Sequence, residues 1–178
     1  MKIDLEKYIR NVPDFPKKGI QFKDITTLCK APDAFEEAID TIVEYFKKKG
    51  VTKVAAIEAR GYVFGGVIAY LLKAGFVLIR KPGKLPYKTI KETYDLEYGQ
   101  DTIEMHIDAI EKGEKVLIFD DLLATGGTAK AACNLVEKAG GKIAGICFVI
   151  ELTGSLHGRD ELKGYDILTL VKIPVEEE

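Results

Sequence analysis

This 178-residue chain has no cationic excess: 26 Lys and Arg stand against 28 Asp and Glu, a formal charge of −2. Without a broad basic field, neither nucleic acid nor an anionic membrane is an expected partner, and any positive site has to be local. Cysteine is scarce too. Cys29, Cys133 and Cys147 lie far apart beside apolar neighbours, which argues against a disulfide framework or a zinc ligand set and for buried thiols. The two histidines, His106 and His157, fall in no Ser, His, Asp order and no HExxH pattern, so hydrolase and zinc-protease readings have no support. No apolar run reaches membrane-spanning length, and the N-terminus MKIDLEKYIR alternates charges where a secretory signal needs an apolar centre. The expectation is a cytoplasmic protein of one domain, residues 1–178, long enough to bury its core without staples.

What is present alternates strand and helix. From Ala31 to Gly50, Pro32 fits a first helical turn, and Phe35, Ala38, Ile39, Ile42, Val43 and Phe46 recur at helical spacing. KVAAIE is a short apolar run ending at EARGY, after which VFGGVIAYLLKAG reads as a buried helix closed by Gly75. FVLIR (Phe76 to Arg80), VLIFD (Val116 to Asp120) and GICFVIE (Gly145 to Glu151) are continuous β-rich runs of the kind found in sheets covered on both faces. A helix starting near Gly127 ends at Gly140-Gly141. The alternation predicts an α/β domain with a central, mainly parallel sheet flanked by helices. Residues 81–113 break the rhythm: KPGKLPYK is turn-rich and basic, and the alternating runs after it suggest a hairpin.

The segment VLIFDDLLATGGTA carries the chemistry. It places Asp120 and Asp121, then a small-residue loop, at the carboxyl end of a buried strand, where open α/β sheets bind ligands. Ala124, Thr125, Gly126, Gly127 and Thr128 let backbone N–H groups converge on an anion while the helix start adds a favourable dipole. A phosphate fits that cradle. The loop lacks the GK[ST] ending of a Walker P-loop and the GxGxxG of a dinucleotide fingerprint.

A hydrophobic strand, two acidic residues and a small Thr/Gly loop resemble the signature of the type I phosphoribosyltransferases. The resemblance implies that Ala124 to Thr128 hold the 5-phosphate of phosphoribosyl diphosphate, while Asp120 and Asp121 face the ribose hydroxyls and the metal-bearing side. Carboxylates suit both tasks, since they accept hydrogen bonds from hydroxyls and favour the cationic anomeric carbon expected in the transition state. EARGY is similar to the family's diphosphate loop, which assigns Arg60 to the diphosphate; RKPGKLP adds Arg80, Lys81 and Lys84. Mg²⁺ is implied, bridging substrate oxygens rather than sitting in a protein cage, so no protein metal ligands are assigned.

The likeness to the adenine-type members of this family runs from VPDFPKKGIQFKDIT to VIELTGSLHGRDEL, almost the whole chain. It implies a homodimer, a small hood from segments at about 1–30 and 150–178, and a flexible hairpin loop over the site. In YDLEYGQ it assigns Glu97 and Tyr98 to the closing loop, Glu97 managing the proton on the purine nitrogen. It places Phe22 and Leu152 on the two faces of the base, with Lys23 beside them and backbone groups near Ile20 and Gln21 reading the 6-substituent. Lys23 stands where some members have arginine, and Ala59 where some have serine. The implied reaction joins adenine to phosphoribosyl diphosphate, giving AMP and diphosphate. Two alternatives stay open: a 6-oxopurine substrate (hypoxanthine, guanine or xanthine), and a ligand-sensing regulator on the same fold, for which the chain shows neither a basic face nor room for a DNA-binding domain.

Overall fold

The apolar runs assemble into a five-stranded parallel sheet in the computed structural model, which describes residues 2–96 and 99–175. A 3-10 turn at Leu5–Tyr8 precedes an antiparallel pair, β1 (Arg10–Pro13) and β2 (Gln21–Asp24), followed by α1 (Thr26–Cys29) and α2 (Pro32–Phe46). β3 (Lys53–Ile57), α3 (Gly61–Leu72) and β4 (Gly75–Ile79) form the first strand, helix, strand unit. A hairpin of β5 (Thr89–Leu96) and β6 (Gly99–His106) precedes β7 (Lys115–Leu123), α4 (Gly127–Lys138), β8 (Lys142–Gly154) and β9 (Ile167–Val175). The sheet order is β4-β3-β7-β8-β9, with every neighbouring pair parallel. β3 has β4 on one side and β7 on the other, so the carboxyl ends of β3 and β7 flank a topological switch point, where such sheets open a crevice.

Alternate residues of the central strands feed two cores, which is why their sequence reads as unbroken apolar runs. Val54, Ala56, Leu117 and Phe119 pack with α2 and α3 residues such as Ile39, Ile42, Phe46, Phe64 and Ile68. Ala55, Ile57, Val116 and Ile118 pack on the other face with Ala132, Cys133, Leu135 and Val136 of α4 and with Ile103 and Met105 of β6. Cys133 and Cys147 are buried and Cys29 is partly buried, all three as free thiols, as expected of structural cysteines. Burial pushes the Cys133 thiol up to about 12. No helix among the described residues is long and apolar enough to cross a membrane.

Several boundaries differ from the sequence expectation. α2 stops at Phe46 rather than Gly50. α3 ends on Lys73, which takes the left-handed conformation at φ 56° and lets Ala74 N–H reach the Ala69 carbonyl at 2.9 Å; Gly75, expected as the stop, opens β4 instead. A left-handed lysine has no sequence signal, since the conformation favours glycine. α3 is also not buried all round: Val63, Val67, Tyr70 and Leu71 are exposed, as are Phe76 and Leu78 on β4. β4 is the sheet edge, and only Val77 and Ile79 of its large side chains are covered. Residues 167–175, with no strand expected, form β9 on the opposite edge.

Candidate functional site

The crevice is built from the loops after β3 and β7. Arg60 sits at the start of α3, and its guanidinium forms an ion pair with Asp121 across the switch point. The same guanidinium lies 5.1 Å from the centre of the Phe22 ring on β2, tying the N-terminal pair of strands to the crevice. Arg60, Lys81, Asp120, Asp121 and Thr128 line one cavity of about 280 Å³. Next to it, a pocket of about 160 Å³ is lined by Asp120 and by Ala124, Thr125, Gly126 and Thr128. A third space, about 370 Å³, opens on the outer side of the loop between β5 and α4. Glu92, Asp95 and Glu161 share its wall with Lys130, and that acidic balance does not suit a phosphate.

Gly126 takes φ 88° at the head of α4, and among the described residues no side chain caps the helix. The first N–H groups of the helix thus have no side-chain acceptor among those residues, and helix starts of this kind are ready-made to receive an anion. Thr128 donates its hydroxyl to the Tyr94 hydroxyl at 3.1 Å, so hairpin strand β5 touches the loop directly. The Asp121 N–H donates to Asp120 Oδ1 at 2.9 Å. Burial, then the neighbouring Asp121 charge, pushes the Asp120 carboxyl well above the usual carboxylate range.

The cations are collected by a residue to which the sequence reading gave no role. Glu58, at the end of β3, accepts from Arg80 Nε at 2.8 Å and from the Lys81 N–H at 2.8 Å, and pairs with Lys84 Nζ at 3.0 Å. Burial alone would raise its carboxyl, but those bonds and charges outweigh it and hold Glu58 at about 2. Its signal was an acid at a strand end directly before Ala59 and Arg60 in EARGY. Lys81 forms an ion pair with Asp101 on β6, and buried Glu104 accepts the Gly83 N–H at 3.0 Å. The basic loop is thus laid along the crevice by three carboxylates, two of them on the hairpin.

The remaining assignments are spread wider. Gln21 accepts from Asn11 Nδ2 at 2.7 Å, and Lys23 donates to Asn11 Oδ1 at 2.7 Å, so both side chains are engaged on the strand pair. Leu152, on β8, packs partly buried against the core beneath α2 and α3. Glu97 and Tyr98 lie outside the described residues.

A parallel sheet with an acidic pair and a glycine-turned helix start at its switch point is the architecture of a type I phosphoribosyltransferase. Residues 23–175 match the family model for the phosphoribosyl transferase domain. The adenine phosphoribosyltransferase of Clostridium kluyveri is 56% identical over 173 residues, covering 97% of this chain and 100% of that one. The crystal structure of adenine phosphoribosyltransferase from Thermoanaerobacter pseudethanolicus superposes with a TM-score of 0.91 at 50% identity, covering 95% of this chain and 98% of the other. The Trypanosoma brucei adenine phosphoribosyl transferase, solved in complex with AMP, pyrophosphate and ribose-5-phosphate, gives a TM-score of 0.87 at 26% identity, covering 94% of this chain and 77% of that chain. The chain belongs to the adenine phosphoribosyltransferase family.

Proposed function

We propose that this protein is a purine salvage enzyme that transfers the phosphoribosyl group of phosphoribosyl diphosphate to adenine, releasing diphosphate and forming AMP. The observation that carries the reading is the crevice itself: an uncapped helix start and a left-handed Gly126 beside a carboxylate pair, with Arg60 and Lys81 on the facing wall. Each part of the substrate has a chemical counterpart there. Amides of Ala124 to Thr128 hold the 5-phosphate, Asp120 and Asp121 accept from the ribose hydroxyls, and Arg60, Arg80, Lys81 and Lys84 draw negative charge toward the leaving diphosphate. The carboxylates of Asp120 and Asp121 are hard oxygen donors of the kind Mg²⁺ prefers, and the ion would bind mainly through the substrate, neutralising charge on the diphosphate. Glu97 manages the proton on the purine nitrogen, with Tyr98 beside it on the closing loop. Phe22 and Leu152 supply apolar faces for the base, and Gln21 and Lys23 border it.

The chain works as a single domain, hooded by segments within 1–30 and 150–178, in the cytoplasm and without nucleic acid or membrane as partner. It acts as a homodimer: Val63, Val67 and Tyr70 on α3 with Phe76 and Leu78 on β4 leave an apolar face that a second copy would cover. A product assay with adenine, hypoxanthine, guanine and xanthine, run with and without Mg²⁺, tests the assignment. AMP should form from adenine, only when Mg²⁺ is present, and the 6-oxopurines should turn over at a small fraction of that rate. Turnover of a 6-oxopurine without AMP formation would discard the adenine assignment.

A further inference from the structure

Residues 158–162 form a short 3-10 turn between β8 and β9, and this turn meets the phosphate loop backbone to backbone. A Cβ on Gly158 would lie 2.3 Å from the Ala124 carbonyl oxygen, and a Cβ on Gly126 would lie 2.3 Å from the Gly158 carbonyl oxygen. In both directions the nearest atom is a backbone carbonyl oxygen. Leu162 anchors one end of the turn in the core. Arg159 anchors the other: its Nε donates to Glu151 Oε1 at 2.6 Å and its Nη2 to Glu151 Oε2 at 2.8 Å. Nη2 also reaches Thr169 Oγ1 at 3.2 Å, and Thr169 donates to Glu151 Oε2 at 2.8 Å. Glu151, 5% exposed, is therefore saturated by a fork that joins the turn to both β8 and β9.

We propose that Arg159 is a positioning residue for substrate binding: its bidentate grip on Glu151 presses the 158–162 turn against Ala124 to Gly126 and keeps the loop amides converged on the 5-phosphate. The inference rests on reading that loop as the phosphate cradle. Arg159 touches no reacting atom in this account. A cradle whose donors are fixed before the anion arrives binds it without the cost of ordering the loop, so the role shows in affinity for the phosphorylated substrate more than in the chemical step.

The test compares steady-state kinetics of Arg159→Met, Arg159→Lys and Gly158→Ala with two references. Lys163→Gln alters an exposed residue paired with Asp160 at the end of the same turn, and the double variant Thr125→Ala/Thr128→Ala strips the loop of its hydroxyls. Arg159→Met and Gly158→Ala should raise the KM for phosphoribosyl diphosphate by about tenfold or more while kcat stays within about threefold, the size expected when a binding group is displaced by a fraction of an ångström. Arg159→Lys, able to keep one bond to Glu151, should recover part of the loss, and Lys163→Gln should behave as the wild type. A purely structural role would lower the active fraction, hence the apparent kcat, and leave KM unchanged. If the double variant raises KM while Arg159→Met and Gly158→Ala do not, the positioning role is wrong and the cradle stands. If neither the double variant nor Gly126→Ala, which displaces the loop amides themselves, raises KM, the cradle reading itself fails. Should Arg159→Met not fold, Gly158→Ala and Arg159→Lys decide the matter.

Discussion

Gly126→Ala is expected to lower kcat/KM for phosphoribosyl diphosphate by about a hundredfold or more, the cost of displacing a substrate-positioning loop by roughly an ångström. Two independent obstacles meet at this position. Its φ of 88° lies in the left-handed region, where an alanine is strained, and the new Cβ would sit 2.3 Å from the Gly158 carbonyl oxygen. Neither obstacle can be relieved by turning a side chain, so the loop or the 158–162 turn has to move. Gly127→Ala gives the contrast. Its Cβ would meet Tyr94 Cδ2 at 3.3 Å and the Asp95 carbonyl oxygen at 3.4 Å, contacts that a small shift of hairpin strand β5 relieves. The ranking, a large loss at Gly126 and a much smaller one at Gly127, is what steady-state kinetics and AMP titration calorimetry should return. Equal losses would mean that sequence identity as glycine, and not this geometry, governs the loop.

Asp120→Asn should yield a protein that is more stable and much less active. The sign follows from the raised carboxyl pKa, whose largest cause is burial and whose second is the Asp121 charge. An acid whose folded pKa exceeds its unfolded value is penalised in the charged form. The wild type therefore loses stability as pH climbs from the unfolded value near 4 through the raised folded value, and the penalty is complete above it. Asparagine carries no charge, and its Oδ1 can still accept the Asp121 N–H that lies 2.9 Å from Asp120 Oδ1. At about pH 8 the variant should melt above the wild type, by roughly 2 to 4 °C for each kcal/mol relieved. That gap should close as the pH falls toward about 4, where the unfolded wild-type carboxyl takes up its proton. Activity should move the other way, with kcat/KM down by about ten- to a hundredfold, because a neutral amide offers less stabilisation to the cationic sugar. A variant with wild-type turnover would remove Asp120 from the reaction, and one that melts lower at pH 8 would contradict the burial penalty.

The parallel sheet, α2, α4 and the β5–β6 hairpin were legible in the sequence because periodicity and continuous apolar runs report burial directly. So was the start of α4 at Gly127, with a glycine turning the chain ahead of it. What escaped detection depends on contacts between distant segments. Glu58 gathers the Arg80 and Lys84 side chains and the Lys81 N–H, yet nothing near EARGY reveals which groups fold back onto it. The contact of Gly158 with Ala124 and Gly126 joins the turn after β8 to the loop after β7, segments brought together by the pairing of those strands in the sheet. Edge position decided the rest: on β4, Val77 and Ile79 are covered by the core that includes Ile103 and Met105 of β6, whereas Phe76 and Leu78, on the face toward α3, stay exposed at the sheet edge although the sequence reads like the buried strands. Lys73 shows the limit at a helix end, where tertiary packing put a lysine in a conformation that composition assigns to glycine.

The central claim is that backbone donors between Ala124 and Thr128 capture a sugar phosphate. A crystal of this protein soaked with ribose 5-phosphate addresses it without kinetics. The account predicts phosphate oxygens within hydrogen-bonding distance of those N–H groups, with the ribose hydroxyls turned toward Asp120 and Asp121. Density for the phosphate elsewhere, for instance in the space lined by Glu92, Lys130 and Glu161, with the loop empty, would contradict it.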